Sequence, residues 1–384
     1  MNQSRVIPGQ TRPLRVVIAG GSLGGLYAGL ALRCIGCQVE IFERSGDHMV
    51  ERGAGLVFHE DMLAYLAEHG IALANEVSVP IRQRRYLNRD GTTAAISWTK
   101  QNMTSWNVLY KQLRNVFPDA NYHLNEELVS FEQSDNVVHA TFKSGKTIEG
   151  DLLICADGTH SLSRSILLPQ VKPEYAGYVA WRGVLAECDL LQEIVDELKD
   201  RITFYQMPQS HILTYLIPGA DGSVNPGERR FNWVWYINRS IGEELDELLF
   251  DNQGNQREFS IPQGFLREVF VQWIYERAKE MLPTVFREEV LATKEPFIQP
   301  IFDVSVPQMV FGRICLLGDA AFVVRPHTAA GTYKASIAAI DLAESLYEHR
   351  GDVKAALRAW EPKQMQFGYA LERRGKYLGG HSQL

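Results

Sequence analysis

Two histidines and a few carboxylates stand where side chains can do chemistry. His211 and Tyr215 lie four residues apart in an apolar, strand-like run, which puts both on one face of a pleated strand. His327 follows Pro326 in a loop. An imidazole gives or takes a proton near neutral pH without help, so either histidine can orient a ligand or accept its proton. The plainer readings are a surface strand histidine and one that braces its loop. Asp157-Gly158 and Gly318-Asp319 each close a buried apolar run. A carboxylate at the carboxyl end of a strand, backed by glycine, can accept hydrogen bonds from ligand hydroxyls. For Asp157 the alternative is an Asx turn capping the next helix, on which Ser161 and Arg164 sit.

These groups need a scaffold, and residues 15–44 supply its clearest part. A β-branched run (Val16, Val17, Ile18) meets a glycine-rich turn through Gly20, Ser22, Leu23 and Gly25, then an Ala/Leu-rich helix and a second strand ending at Glu43-Arg44. This is a βαβ unit whose helix N-terminus aims unpaired N–H groups at a pyrophosphate. Glu43 falls where an acid binds a ribose hydroxyl, although Ser22 replaces the middle glycine of the usual fingerprint. A strand over residues 314–317 similarly leads through Asp319 to Gly331-Thr332 and an alanine-rich helix, whose first N–H groups can stabilise negative charge.

With 384 residues, 45% of them hydrophobic, the chain can bury a large core. A net charge of −7 disfavours nucleic acid, and no run of basic residues points to anionic lipid. Residues 16–32 are apolar but glycine-interrupted, so they read as buried βα and no membrane span is expected. Five cysteines, an odd set, sit mostly in apolar runs, which predicts a reduced, cytoplasmic setting. Cys34 and Cys37 form a C-x-x-C that reads as two packed thiols, with a redox pair or half a metal site as the alternative.

Residues 1–13 read as a loose tail. Glu51-Arg52-Gly53-Ala54-Gly55 forms a second glycine-rich turn, in which Gly55 allows close approach of a flat ring, followed by a helix that stops at Gly70. Residues 81–98 predict strands turning at Asp90-Gly91, residues 107–117 a helix, and residues 122–149 a small antiparallel sheet. From 175 to 238 the pattern is aromatic strands with no βαβ alternation, then charged helices to 289 and a returning strand at 297–306.

Taken in order, the three glycine-bearing stretches resemble the class A flavoprotein aromatic monooxygenases, the family of p-hydroxybenzoate hydroxylase, over nearly the whole chain. The likeness is stronger to its hydroxypyridine hydroxylases, through Gly20-Gly21-Ser22, through Tyr175-Ala176-Gly177-Tyr178-Val179-Ala180-Trp181-Arg182-Gly183, and through Gly318-Asp319-Ala320 with Arg325-Pro326-His327. The resemblance implies FAD as cofactor, held by Gly20, Ser22, Leu23, Gly25, Glu43, Arg44, Gly55, Asp157, Gly158, Arg164, Gly318, Asp319, Gly331 and Thr332. It implies NADH or NADPH as co-substrate, and O₂ carried as a flavin C4a-hydroperoxide to a small electron-rich aromatic or N-heteroaromatic ring. His211, with Tyr215, takes the substrate-orienting or proton-accepting place, and His327 stands at the flavin's edge. Trp106 stands where many members have an arginine. Relatives also carry the expectation of a homodimer.

The fold class implied is α/β, with an α+β second part: a Rossmann-like FAD-binding domain (14–75, 106–174 and 295–384) interleaved with a mainly antiparallel substrate domain (76–105 and 175–294) and C-terminal helices. Trp233-Val234-Trp235-Tyr236-Ile237 also resembles the W-x-W-x-I-P stretch of flavin-dependent halogenases, with Asn238 in place of the proline. A halogenase, or a flavin-binding protein without turnover, is therefore the alternative.

Overall fold

The computed structural model describes residues 5–46, 54–68 and 77–381. Glu51, Arg52 and Gly53 of the second glycine-rich turn, and the helix stop expected at Gly70, lie outside them.

The strand Arg15–Ala19 is buried along nearly its whole length because it has a neighbour on each side. It pairs in parallel with Gln38–Phe42 and with Leu152–Cys155, which arrives from more than a hundred residues away. Ile314–Leu316 joins beyond Leu152–Cys155, and Tyr122–His123 closes the other side. Continuous apolar strands suit a sheet covered on both faces. The helices Leu23–Cys34 and Gly331–Glu348 cover one of them and pack on each other. A separate sheet of Leu128–Gln133, Val138–Phe142 and Thr147–Gly150 stands within the stretch, residues 122–149, that predicts a small antiparallel sheet.

The second layer is a nine-stranded sheet. Its centre is antiparallel, with Glu174–Ala186, Arg230–Asn238 and Ser210–Ile217 side by side. One pair departs from that rule: Arg201–Met207 runs parallel to Val79–Leu87. The sheet ends in Gly55–Phe58 on one edge and Phe322–Val323 on the other, the first from the second glycine-rich turn and the second from the stretch around Gly318. Strand alternation gives the sheet two different faces. Trp181, Trp233, Trp235, Ile212 and Leu216 point to a core built with the helices Gln192–Leu198, Glu268–Met281 and Thr284–Ala292. Tyr178, His211, Tyr215 and Tyr236 occupy the other face, with His211 opposite Tyr236 and Tyr215 opposite Asn232.

The helix Val353–His381 lies across the loop that carries His327. Among the described residues no helix is long and apolar enough to cross a membrane.

Candidate functional site

Three distant stretches meet at the carboxyl ends of the parallel strands. Gly20 has φ +103°, and a Cβ there would fall 2.3 Å from the carbonyl oxygen of Ala156, so the first turn is pressed against the second stretch. A Cβ on Gly25 would lie 1.9 Å from the Gly20 oxygen, which leaves room only for glycine. Cβ atoms built on Gly24 and Gly318 would sit 3.5 and 3.3 Å from the Cβ of Ala335, bringing the third stretch against the first helix. The helices starting at Leu23 and Gly331 both lack a side-chain cap and an acidic residue in the first turn. Their opening N–H groups are the unsatisfied donors an anionic or electron-rich group needs.

Glu43 is buried behind this turn, accepting hydrogen bonds from the Gly21 amide at 2.7 Å and the Ser45 amide at 2.9 Å. Tyr122 donates to the Gly21 carbonyl at 2.8 Å from the neighbouring strand, and its hydroxyl lies 3.0 Å from that of Tyr110. The carboxylate is thereby fixed beside the glycine turn, and each of its oxygens keeps a second lone pair for a ribose hydroxyl. Arg44, the next residue, is exposed.

Asp157 sits at the start of the helix that follows it, beside the N-cap Ser161. Its carboxylate accepts from the Ser161 hydroxyl at 2.6 Å and the Ser163 amide at 3.0 Å, so it caps the helix Leu162–Leu167. Gly158, at φ +80°, completes that turn. Arg164 is buried and donates to the carbonyls of Thr159 and Ala320 at 2.6 and 3.1 Å. It braces the Gly318–Ala320 turn from across the sheet, a link between residues 156 positions apart.

Asp319 is the half-exposed member of an ion pair whose other member, Lys334, is 4% exposed. Lys334 Nζ lies 2.8 Å from Asp319 Oδ1 and also donates to the Phe322 carbonyl. The sequence marks this lysine only as one basic residue in an alanine-rich helix. Gly331 is exposed at the helix start, and Thr332 is partly buried beside it.

The histidines come together. Their ring centroids are 5.2 Å apart, and Tyr236 lies 4.7 Å from His211 and 4.5 Å from His327. His327 Nε2 is 2.9 Å from the Tyr178 hydroxyl. Burial, with His211 and Arg325 close by, pushes the His327 imidazole down to about 3, so it is neutral. Tyr215 is buried further along the strand, and burial pushes its phenol up to about 12 against the pull of Arg182. A side chain on Gly55 would strike Tyr215 at 2.6 Å, and the Gly55 amide donates to Asn232 at 2.8 Å. Gly55 thus closes the end of this aromatic face.

Tyr178 and Tyr236 were not singled out by sequence spacing. Each sits in a strand of alternating large residues, where only register decides which face an aromatic takes. Cys34 and Cys37 are free thiols, and burial raises both, as expected for packed groups.

The arrangement fits FAD: glycine-only close approaches at the first turn, a fixed carboxylate beside it, and two uncapped helix starts with Asp319 between the strands and the second of them. It fits a planar substrate on the adjoining aromatic face.

Comparison with known proteins agrees. A family described as FAD binding domain-like matches residues 175–303. The chain is 33% identical over 374 residues to the 2,6-dihydroxypyridine 3-monooxygenase of Paenarthrobacter nicotinovorans, covering 96% of this chain and 91% of the relative. It is 25% identical to the FAD-dependent urate hydroxylase of Mycolicibacterium vanbaalenii, covering 91% of this chain and 83% of that one. The structure of 2,6-dihydroxypyridine-3-hydroxylase from Arthrobacter nicotinovorans superposes with a TM-score of 0.91 at 32% identity, over 97% of this chain and 94% of the other. The chain belongs to the class A FAD-dependent aromatic monooxygenases.

Proposed function

We propose that this enzyme uses NADH or NADPH and O₂ to hydroxylate a small hydroxylated aromatic or N-heteroaromatic ring, of the hydroxypyridine kind. The observation that carries the reading is the junction itself: the cofactor-type turns around Gly20, Asp157 and Gly318 converge on one edge, and the His211, Tyr236 and His327 cluster adjoins it through the loop between Gly318 and Gly331. Bound FAD supplies electron transfer from the nicotinamide to O₂ and delivery of one oxygen atom to the ring. The relative named for a dihydroxypyridine supports the substrate class.

The residues divide the remaining work. Gly20, Gly25 and the helix starts receive the pyrophosphate and the flavin's electron-rich edge, Glu43 the ribose, and Asp319 the ribityl chain. The aromatic face excludes water and stacks the substrate ring. His211, with Tyr215 further along the same face, orients a ring hydroxyl and takes up its proton, which makes the ring a better nucleophile. Residues 14–75, 106–174 and 295–384 serve the cofactor in this reading, and 76–105 and 175–294 serve the substrate.

The test is NADH and NADPH oxidation by the FAD-loaded protein with hydroxypyridines, hydroxynicotinate, urate and simple phenols, with products weighed for one added oxygen. At least one hydroxypyridine is expected to stimulate oxidation and gain one oxygen. Stimulation by no member of the panel would overturn the substrate class.

A further inference from the structure

Arg325 stands two residues before His327, and its guanidinium is fixed from behind. Asp303 accepts from its Nε at 3.0 Å and from its Nη2 at 2.8 Å. The same guanidinium stands beside Tyr178, 5.6 Å from its ring centroid. The helix Val353–His381 closes over this pair, since a Cβ on Gly379 would lie 2.9 Å from Arg325 Nη1 and 3.0 Å from the Tyr178 oxygen. The geometry therefore leaves the phenol little freedom.

A guanidinium has donors only. A cation beside the phenol favours its oxygen lone pairs turned toward Arg325 and its hydrogen turned away. His327 Nε2 lies 2.9 Å away. A neutral imidazole carries one proton on one of two nitrogens, and the bare nitrogen is the acceptor. We infer that Tyr178, oriented by Arg325 and Asp303, is a positioning residue that donates its phenolic hydrogen to His327 Nε2 and so holds the imidazole's single proton on Nδ1.

The consequence is a division of labour between the two histidines. Through Nδ1, His327 donates a hydrogen bond to whatever it meets there and takes up no proton. Proton acceptance then falls to His211. This chemical meaning rests on the proposed reading of the cluster as the substrate wall, while the tautomer itself is measurable without turnover.

The experiment is long-range proton–nitrogen correlation of the full chain labelled with ¹⁵N-histidine, in the FAD-loaded protein. The His327 signals are identified by their loss in His327→Gln. In the unmutated protein Nε2 is expected as a bare ring nitrogen and Nδ1 as a protonated one, with a preference of roughly tenfold, the worth of one hydrogen bond. Tyr178→Phe keeps the ring and removes the donor, so the proton is expected to move toward Nε2, where histidine ordinarily prefers it. A merely structural tyrosine would leave the tautomer unmoved. A protonated Nε2 in the unmutated protein, or a Tyr178→Phe spectrum that keeps the Nδ1 proton, overturns the inference. If Tyr178→Phe does not fold, the unmutated spectrum alone decides. A bare Nε2 in a protein that oxidises nicotinamide with no member of the panel would sink the substrate reading and leave the tautomer standing.

Discussion

Asp319 and Lys334 form the pair on which the ribityl placement rests. Asp319→Ala removes the proposed ligand and strands a buried ammonium, a change that typically costs about 3–5 kcal/mol when a buried partner is lost. Half of Asp319 is exposed, which lowers that cost by screening. The purified variant is expected to carry less than a tenth of the flavin of the unmutated protein, read from its visible absorbance. Full occupancy would remove Asp319 from the cofactor site. Glu289 makes a second residue-scale prediction on the opposite face of the sheet. It is wholly buried, accepts from the Thr214 hydroxyl, and burial pushes its carboxyl up to about 8. The folded protein then holds this proton more tightly than the unfolded chain, so the stabilisation is complete below the ordinary carboxyl range and is lost as pH rises toward 8. Denaturant unfolding between pH 5 and 8 should show stability falling, on the order of a few kcal/mol from this group. Glu289→Gln, which stays neutral, should flatten that slope; an unchanged slope would refute the assignment.

At the scale of elements, the turn glycines are the most constrained positions. Gly25→Ala forces a methyl onto the Gly20 carbonyl, and a loss of about 1–3 kcal/mol is expected in chemical unfolding, together with weaker FAD retention. The C-terminal helix makes the same kind of contact with the His327 loop. Cβ atoms on Gly368, Gly375 and Gly379 would come within 2.5 Å of Phe322, 3.3 Å of Arg325 and 2.9 Å of Arg325, respectively. Gly375→Leu should displace that loop and lower substrate-stimulated oxidation at least tenfold while flavin stays bound; retained activity would show that the loop tolerates the push. The βαβ unit, the hairpin around Gly91 and the helices after residue 243 were readable because period and turn residues are local signals. The glycine face of the last helix was not, because its reason lies in residues more than forty positions away. The parallel pairing of Arg201–Met207 with Val79–Leu87 escaped for the same cause: no local pattern names a strand's partner.

Across the whole molecule, the sequence order of the three cofactor-type stretches was enough to read the family and one end of the site. Both histidines were readable as candidates, but their meeting was not, since His211 and His327 are 116 positions apart and the turn after the edge strand Phe322–Val323 carries His327 onto the face that bears His211. Asp157 shows the limit in the other direction: the motif was legible, while its bonds to the next helix required the positions of Ser161 and Ser163. The large sheet also constrains how the enzyme can work. Its two edge strands, Gly55–Phe58 and Phe322–Val323, belong to the segments proposed to hold the cofactor, and each is hydrogen-bonded into the layer that bears the aromatic face. The two halves are laced together. They cannot swing apart like jaws without breaking ladder hydrogen bonds at both margins, so substrate and product must pass by local displacement of side chains and short loops, and turnover is gated at a doorway whose frame stays fixed.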